Sequence, residues 1–137
     1  MTTRLSHFGI AVPAHDEVLH FWRDMLGLPL EHTEHVAGDG VTVAMLRLGS
    51  GAGAVELLQP DSGEGNPVGR FLAKRGPGLH HVAFDVDDLE GLLERMRQAG
   101  VRLIDEAPRP GAHDTRVAFV HPASTGGVLV ELVQSRG

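Results

Sequence analysis

The chain has 137 residues, enough for one domain with a core of its own. Its 42% hydrophobic and 22% charged residues are ordinary globular values, which excludes disorder and collagen-like or low-complexity architectures. A net charge of −6 argues against a general nucleic-acid partner, and the absence of cysteine removes disulfides, zinc–thiolate centres and a thiol nucleophile. No apolar run approaches the ~20 residues that span a bilayer, so no membrane partner is expected. The chain opens on a strand-like run without a signal-peptide pattern, and a cytoplasmic location is the expectation.

In chain order, residues 5–12 (LSHFGIAV) predict a strand rich in β-formers. Val18, Leu19, Phe21, Trp22, Met25 and Leu26 follow at helical spacing, and Gly27 is placed to end that helix. Three strands are predicted near 29–35, 41–48 and 54–59. Residues 60–78 form a Gly/Pro-rich connection in which Asn66-Pro67 starts a short helix with Val68, Phe71 and Leu72 on its apolar face. A second strand–helix pair begins at 79–86. Asp87 and Glu90 make a capping-box-like start, Leu89, Leu92, Leu93 and Met96 the stripe, and Gly100 the stop. Strands near 101–105, 115–120 and 128–134 complete the pattern.

The second half repeats the first. LSHFGIAV aligns with LHHVAFDV (79–86) and VAML (43–46) with VAFV (117–120), both at an offset of 74, and VELLQ (55–59) aligns with VELVQ (130–134) at 75. Three matches in the same order at nearly constant offset define two βαβββ modules. Modules of about 60 residues bury little alone, so the expectation is an α+β fold of one domain over 1–137. Module one covers 1–63, a linker helix 64–77 and module two 78–137. Pseudo-twofold symmetry would make a concave mixed sheet around a metal site.

The repeat superimposes His7 on His81 and Glu56 on Glu131. Each glutamate interrupts an apolar run, and alternation along a strand points it away from the flanking valine and leucine, which pack on the helices. A carboxylate there is expensive if buried and unpaired. Two imidazoles and two carboxylates form a donor set suited to Zn²⁺, Co²⁺, Ni²⁺, Mn²⁺ or Fe²⁺. His7, Glu56, His81 and Glu131 are therefore the candidate metal ligands. His80 faces the other way from His81. His15, His20, His32 and His35 lie among polar residues and read as solvated, and His121 reads as a strand-end hydrogen-bonding group.

HFGIAV (7–12), FWRDMLGL (21–28), VELLQP (55–60), FLAKRGPGLHHVAFDVDD (71–88), GVRLIDEAPRPGAH (100–113) and VAFVHPASTGGVLVELVQ (117–134) carry a resemblance over almost the whole chain. The sequence resembles the vicinal oxygen chelate superfamily, which includes glyoxalase I and ring-cleaving dioxygenases, and within it the methylmalonyl-CoA epimerases. The resemblance implies the glyoxalase-like fold, a homodimer, an acyl-CoA substrate and one divalent metal ion, with cobalt favoured over zinc, manganese or nickel. It implies interconversion of the C2 epimers through an enolate, with a carboxylate on each face of the substrate. His7, His81 and Glu131 match family ligands, and Glu56 matches the fourth position, where some epimerases carry glutamine. Such epimerases place a base where this chain has Val43. Glu56 and Glu131 are accordingly the expected acid/base pair, an arrangement similar to glyoxalase I.

The Gly111-Ala112-His113 loop matches the epimerase pattern for substrate binding, with Asp114 where many relatives continue with glycine. Arg70, Lys74, Arg75, Arg109 and Arg116 are candidates for the CoA phosphates. Two other readings remain: glyoxalase I-like isomerisation of a glutathione hemithioacetal, and drug sequestration by a resistance protein of the same fold.

Overall fold

A computed structural model describes residues 2–49, 53–62 and 65–135. The backbone clusters into a first unit, residues 7–80, and a second, residues 81–137 with 1–6. The first unit carries β1 (Thr3–Ala11, from His7 onward), α1 (Asp16–Leu19), β2 (Leu30–Val36), β3 (Val41–Arg47), β4 (Ala54–Pro60) and α2 (Pro67–Arg75). Its strands run in the order β2-β3-β4-β1, with β1 parallel to β4 and the other pairs antiparallel. The second unit carries β5 (Gly78–Val86, from His81 onward), α3 (Leu89–Gln98), β6 (Arg109–Pro110), β7 (Thr115–Val120) and β8 (Val130–Ser135). Its order is β5-β8-β7-β6, again with one parallel pair, β5 with β8. The βαβββ order expected of each half is thus present twice. No helix among the described residues is long and apolar enough to cross a membrane.

Alternation sorts the faces of the strands in each unit as the sequence predicts. In the first unit Val55 and Leu57 pack with Val12, Leu19, Ala44 and Leu46, while Leu58, on the other face, packs with Ala11, Val41, Val43 and the Val68 of α2. In the second, Leu132 packs with Leu89 and Leu93 of α3, and Val133 with Ala83 and Val117. Each fully buried leucine contributes about 1.5–3 kcal/mol.

Three local expectations change. The helix over 16–26 is α-helical only to Leu19, and His20–Met25 form a π-helix in which the Leu26 N–H reaches the Phe21 carbonyl at 2.8 Å. The wider turn rotates the apolar stripe, so Val18, Leu19 and Trp22 meet the core while Phe21, Met25 and Leu26 are exposed. Residues 101–105 are not a strand; one bridge, Leu103 to Val120, stands there, and Asp105 intercepts the Phe119 N–H with its side chain at 2.8 Å. The N-cap of α3 is Asp88, which accepts from the Gly91 N–H, rather than Asp87. In the connection, Asn66 caps α2 through the Val68 and Gly69 N–H groups as its Asn-Pro signal predicts.

The repeat extends to the capping of each first helix. Gln59 at the end of β4 accepts the His15 N–H at 2.9 Å, and its counterpart Gln134 in β8 accepts the Leu89 N–H at 2.7 Å. Each amide ties a helix start to the strand that carries the candidate glutamate. Gln134→Ala leaves the Leu89 N–H without that acceptor and should lower stability by about 1 kcal/mol, measured as the shift of a urea unfolding midpoint.

Candidate functional site

In the first unit Gly9 of β1 stands in register with Glu56 of β4, and His7, two residues earlier on the same face, reaches the glutamate diagonally. Its Nδ1 lies 3.3 Å from Glu56 Oε2. In the second unit Ala83 of β5 stands in register with Glu131 of β8, and His81, again two residues earlier, places Nε2 3.0 Å from Glu131 Oε1. Glycine and alanine at the registered positions keep the diagonal clear of bulky side chains. All four residues are buried, between 5 and 8% exposed.

A buried carboxylate is poorly solvated and is expensive unless it is paired. Imidazoles and carboxylates are a donor set that fits a divalent cation. His7, His81 and Glu131 are buried donors of the kind that holds a metal ion. Phe119 adds a wall in the second unit. It stands in register with Glu131, and its ring meets the His81 ring edge-on at 5.4 Å. The sequence gives no direct signal for this wall; it follows only once the β7–β8 register is known.

His80 turns away from His81 as alternation requires and packs edge-on against Phe71 of α2 at 5.0 Å. His15 departs from its expected solvated state. It is half-buried, with Nε2 3.0 and 2.9 Å from the carbonyls of Thr42 and Leu57. His121 is a strand-end group as expected, accepting the Ala123 N–H on Nδ1 at 3.0 Å. Val43 is buried against Ala11, Leu58 and Val68, and no carboxylate stands at that position. Among the basic candidates, Arg70, Lys74 and Arg75 lie exposed on α2, Arg116 pairs with Glu90 at 2.6 Å, and Arg109 pairs with Asp105 at 3.1 Å.

Gly111, Ala112 and His113 form the turn between β6 and β7. The Gly111 N–H closes it on the Thr115 carbonyl at 3.0 Å, and Thr115 Oγ1 donates to the Ala112 carbonyl at 2.6 Å. His113 and Asp114 are both left-handed, at φ 58° and 53°. Glycine adopts such φ values without the Cβ penalty, whereas here a histidine and an aspartate hold them.

The chain belongs to the Glyoxalase/Bleomycin resistance protein/Dioxygenase superfamily, whose profile matches residues 6–119. It is 41% identical over 134 residues to the uncharacterized protein YqjC of Bacillus subtilis, a match covering 98% of this chain and 94% of that one. It is 37% identical to the ethylmalonyl-CoA/methylmalonyl-CoA epimerase of Cereibacter sphaeroides, covering 98% and 99% of the two chains. A solved methylmalonyl-CoA epimerase in complex with methylmalonyl-CoA and ammonium superposes with a TM-score of 0.93 at 38% identity, over 100% of this chain and 97% of that one. Members of this kind have the glyoxalase-like fold, which the two βαβββ units reproduce.

The turn yields a packing prediction. A Cβ on Gly111 would stand 2.6 Å from Val117 Cγ1 and 2.9 Å from Thr115 Oγ1. Gly111→Ala should therefore cost about 1–3 kcal/mol, checked by thermal unfolding.

Proposed function

We propose that the protein epimerises methylmalonyl-CoA at C2, with His7, Glu56, His81 and Glu131 from the two modules of one domain sharing a single divalent cation, cobalt by preference. The observation that carries this reading is the buried His–Glu pair, built twice on the same strand geometry in a chain similar along its whole length to named epimerases. A homodimer in the cytoplasm completes the proposal.

The C2 hydrogen lies between a thioester and a carboxylate, so its removal leaves an enolate. A divalent cation held by these residues would supply Lewis acidity where that charge develops. Inversion needs a proton taken from one face and returned on the other. Glu56 and Glu131 are the groups assigned to the two faces. Each has an imidazole within 3.3 Å that positions its carboxylate. Burial keeps water from competing for the proton. The Gly111–His113 turn is the proposed contact for the acyl end of the substrate.

One feature favours a second reading. Glu56 is a carboxylate where some epimerases carry an amide, and a pair of ligating glutamates is similar to glyoxalase I. Isomerisation of a glutathione hemithioacetal is the activity to compare.

Exchange of the C2 hydrogen of methylmalonyl-CoA in deuterated buffer tests the proposal. Exchange that requires the cation and stops with chelator is expected; turnover of the hemithioacetal without such exchange selects the second reading. His7→Ala and His81→Ala should each lower bound metal sharply, while His80→Gln keeps it, as read by elemental analysis. Normal metal in either alanine variant removes that residue from the ligand set. Glu56→Gln should retain metal through its amide oxygen yet lose about 10²–10⁴-fold in turnover, because an amide is no base at neutral pH. A metal-replete Glu56→Gln enzyme with full turnover leaves Glu131 as the supported base.

A further inference from the structure

We propose that Met45 sets which C2 substituent the protein accepts, as an adaptable apolar wall beside Glu56; the assignment rests on the epimerase reading above and extends it to C2-alkylated malonyl thioesters as a class. All the residues concerned belong to the first unit. Glu56 lies inside β4, and register fixes its neighbours. Gly9 of β1 stands on one side of it and Met45 of β3 on the other. Ala54 and Leu58 precede and follow it on the same face of β4. Registered partners stand about 5 Å apart, so these positions border the carboxylate. Gly9 offers no side chain and Ala54 only a methyl group. Leu58 is buried with Val41, Val43 and the Val68 of α2. Met45 is half-buried. It is the one of these four with both a large apolar surface and room to change rotamer.

The chemistry of C2 decides which substituent meets which neighbour. The carbon bears a hydrogen, a carboxylate, the thioester carbon and an alkyl group. A base that takes the hydrogen stands within about 3 Å of it. C2 therefore lies against Glu56, and its other substituents lie over the neighbours of Glu56. The carboxylate and the thioester oxygen need polar partners. Those are on the β1 side, where His7 Nδ1 stands 3.3 Å from Glu56 Oε2. The alkyl group is the one apolar substituent, and the apolar neighbour lies on the opposite side, on β3.

A methionine there has a consequence for substrate range. An unbranched thioether with three rotatable bonds repacks around groups of different size. Val43, two residues earlier on the same face, is buried and β-branched and could not do so. Within the second unit the repeat counterpart of Met45 is Phe119, a flat ring in edge-on contact with His81 at 5.4 Å. Adaptability at this position therefore belongs to the first unit alone, and alkyl groups longer than methyl fit against it.

Metal-loaded wild type, Met45→Leu, Met45→Ala and Met45→Phe are compared by C2 hydrogen exchange on methyl-, ethyl- and propylmalonyl-CoA. One methylene against an apolar wall discriminates by about 10- to 200-fold. Wild type should process the ethyl compound within about tenfold of the methyl one in kcat/KM. Met45→Phe should lower the ethyl-to-methyl ratio by about tenfold or more, and Met45→Ala should raise the propyl-to-methyl ratio by about as much. Met45→Leu, close in volume, should stay within about threefold of wild type. An equilibrium mixture of C2 epimers undergoes no net turnover, so calorimetric affinity for each compound is a second readout and should follow the same ratios. Thermal midpoint and metal content identify a variant that has lost its fold or its cation; if Met45→Phe does so, Met45→Ala decides alone. Unchanged ratios in folded, metal-replete variants, or an equal loss on all three compounds, overturn the assignment. So does a wild type that exchanges methylmalonyl-CoA but excludes ethylmalonyl-CoA. Wild type that exchanges none of the three overturns the epimerase reading itself, and the assignment with it.

Discussion

A carboxylate buried on the inner face of a strand is the constraint from which the rest of this architecture follows. Glu56 and Glu131 interrupt apolar runs, and neither has water enough around it to hold its charge cheaply. Each is matched by a histidine two residues upstream of the registered position on the neighbouring parallel strand. That geometry requires a parallel pair with a fixed register, because a slip of one residue would turn the histidine to the other face. The parallel pair in turn needs a crossover, which the helices and antiparallel strands of each βαβββ unit provide. The glutamine caps, Gln59 and Gln134, then bind the start of each crossover back to the glutamate strand.

Most of this order was legible in the sequence because it rests on periodicity and repetition. The apolar stripe of α3, the alternation in β4 and β8 and the Asn66-Pro67 helix start each depend on near neighbours in the chain. The four candidate ligands stood out because the repeat superimposes them, not because any one residue was distinctive. Three features depended on tertiary context instead. Nothing in HFWRDM distinguishes an α-turn from a π-turn, and the extra residue per turn moved Phe21, Met25 and Leu26 from the expected core to the surface. Asp105 broke a predicted strand by taking a ladder N–H with its side chain, a competition that only the position of Phe119 reveals. His15 read as solvated because its neighbours in sequence are polar, whereas its contacts are carbonyls of two strands far along the chain.

The two halves agree on ligands and differ in what surrounds them. Met45 and Phe119 are repeat counterparts, and each stands in register with its unit's glutamate. Val43 and Val117 are likewise counterparts on the next row. In the first unit that row is covered by α2, through Val68 with Phe71 and Leu72. In the second it borders Arg109, whose guanidinium lies over Phe119. A duplicated strand pair thus presents an apolar, helix-covered flank in one module and a cationic, aromatic flank in the other.

That divergence has a chemical reason if both glutamates serve one reaction. Two similar half-sites, one pairing its glutamate with Nδ1 and the other with Nε2, would suit the proposed reversal of configuration at one carbon. The proposed substrate is not symmetric, since one substituent of that carbon would be a long anionic thioester. Something outside the ligand set must therefore fix which way the substrate enters. The residue types of the candidate ligands cannot do so, because the repeat makes them the same in both modules. Residues one row or one strand further out differ between the modules: α2 and its apolar contacts in the first unit, Asp105, Arg109 and Phe119 in the second. Likeness in the candidate ligands with difference in the residues around them would, under the epimerase proposal, let one fold supply two matched carboxylates and still bind an unsymmetrical ligand in a single orientation.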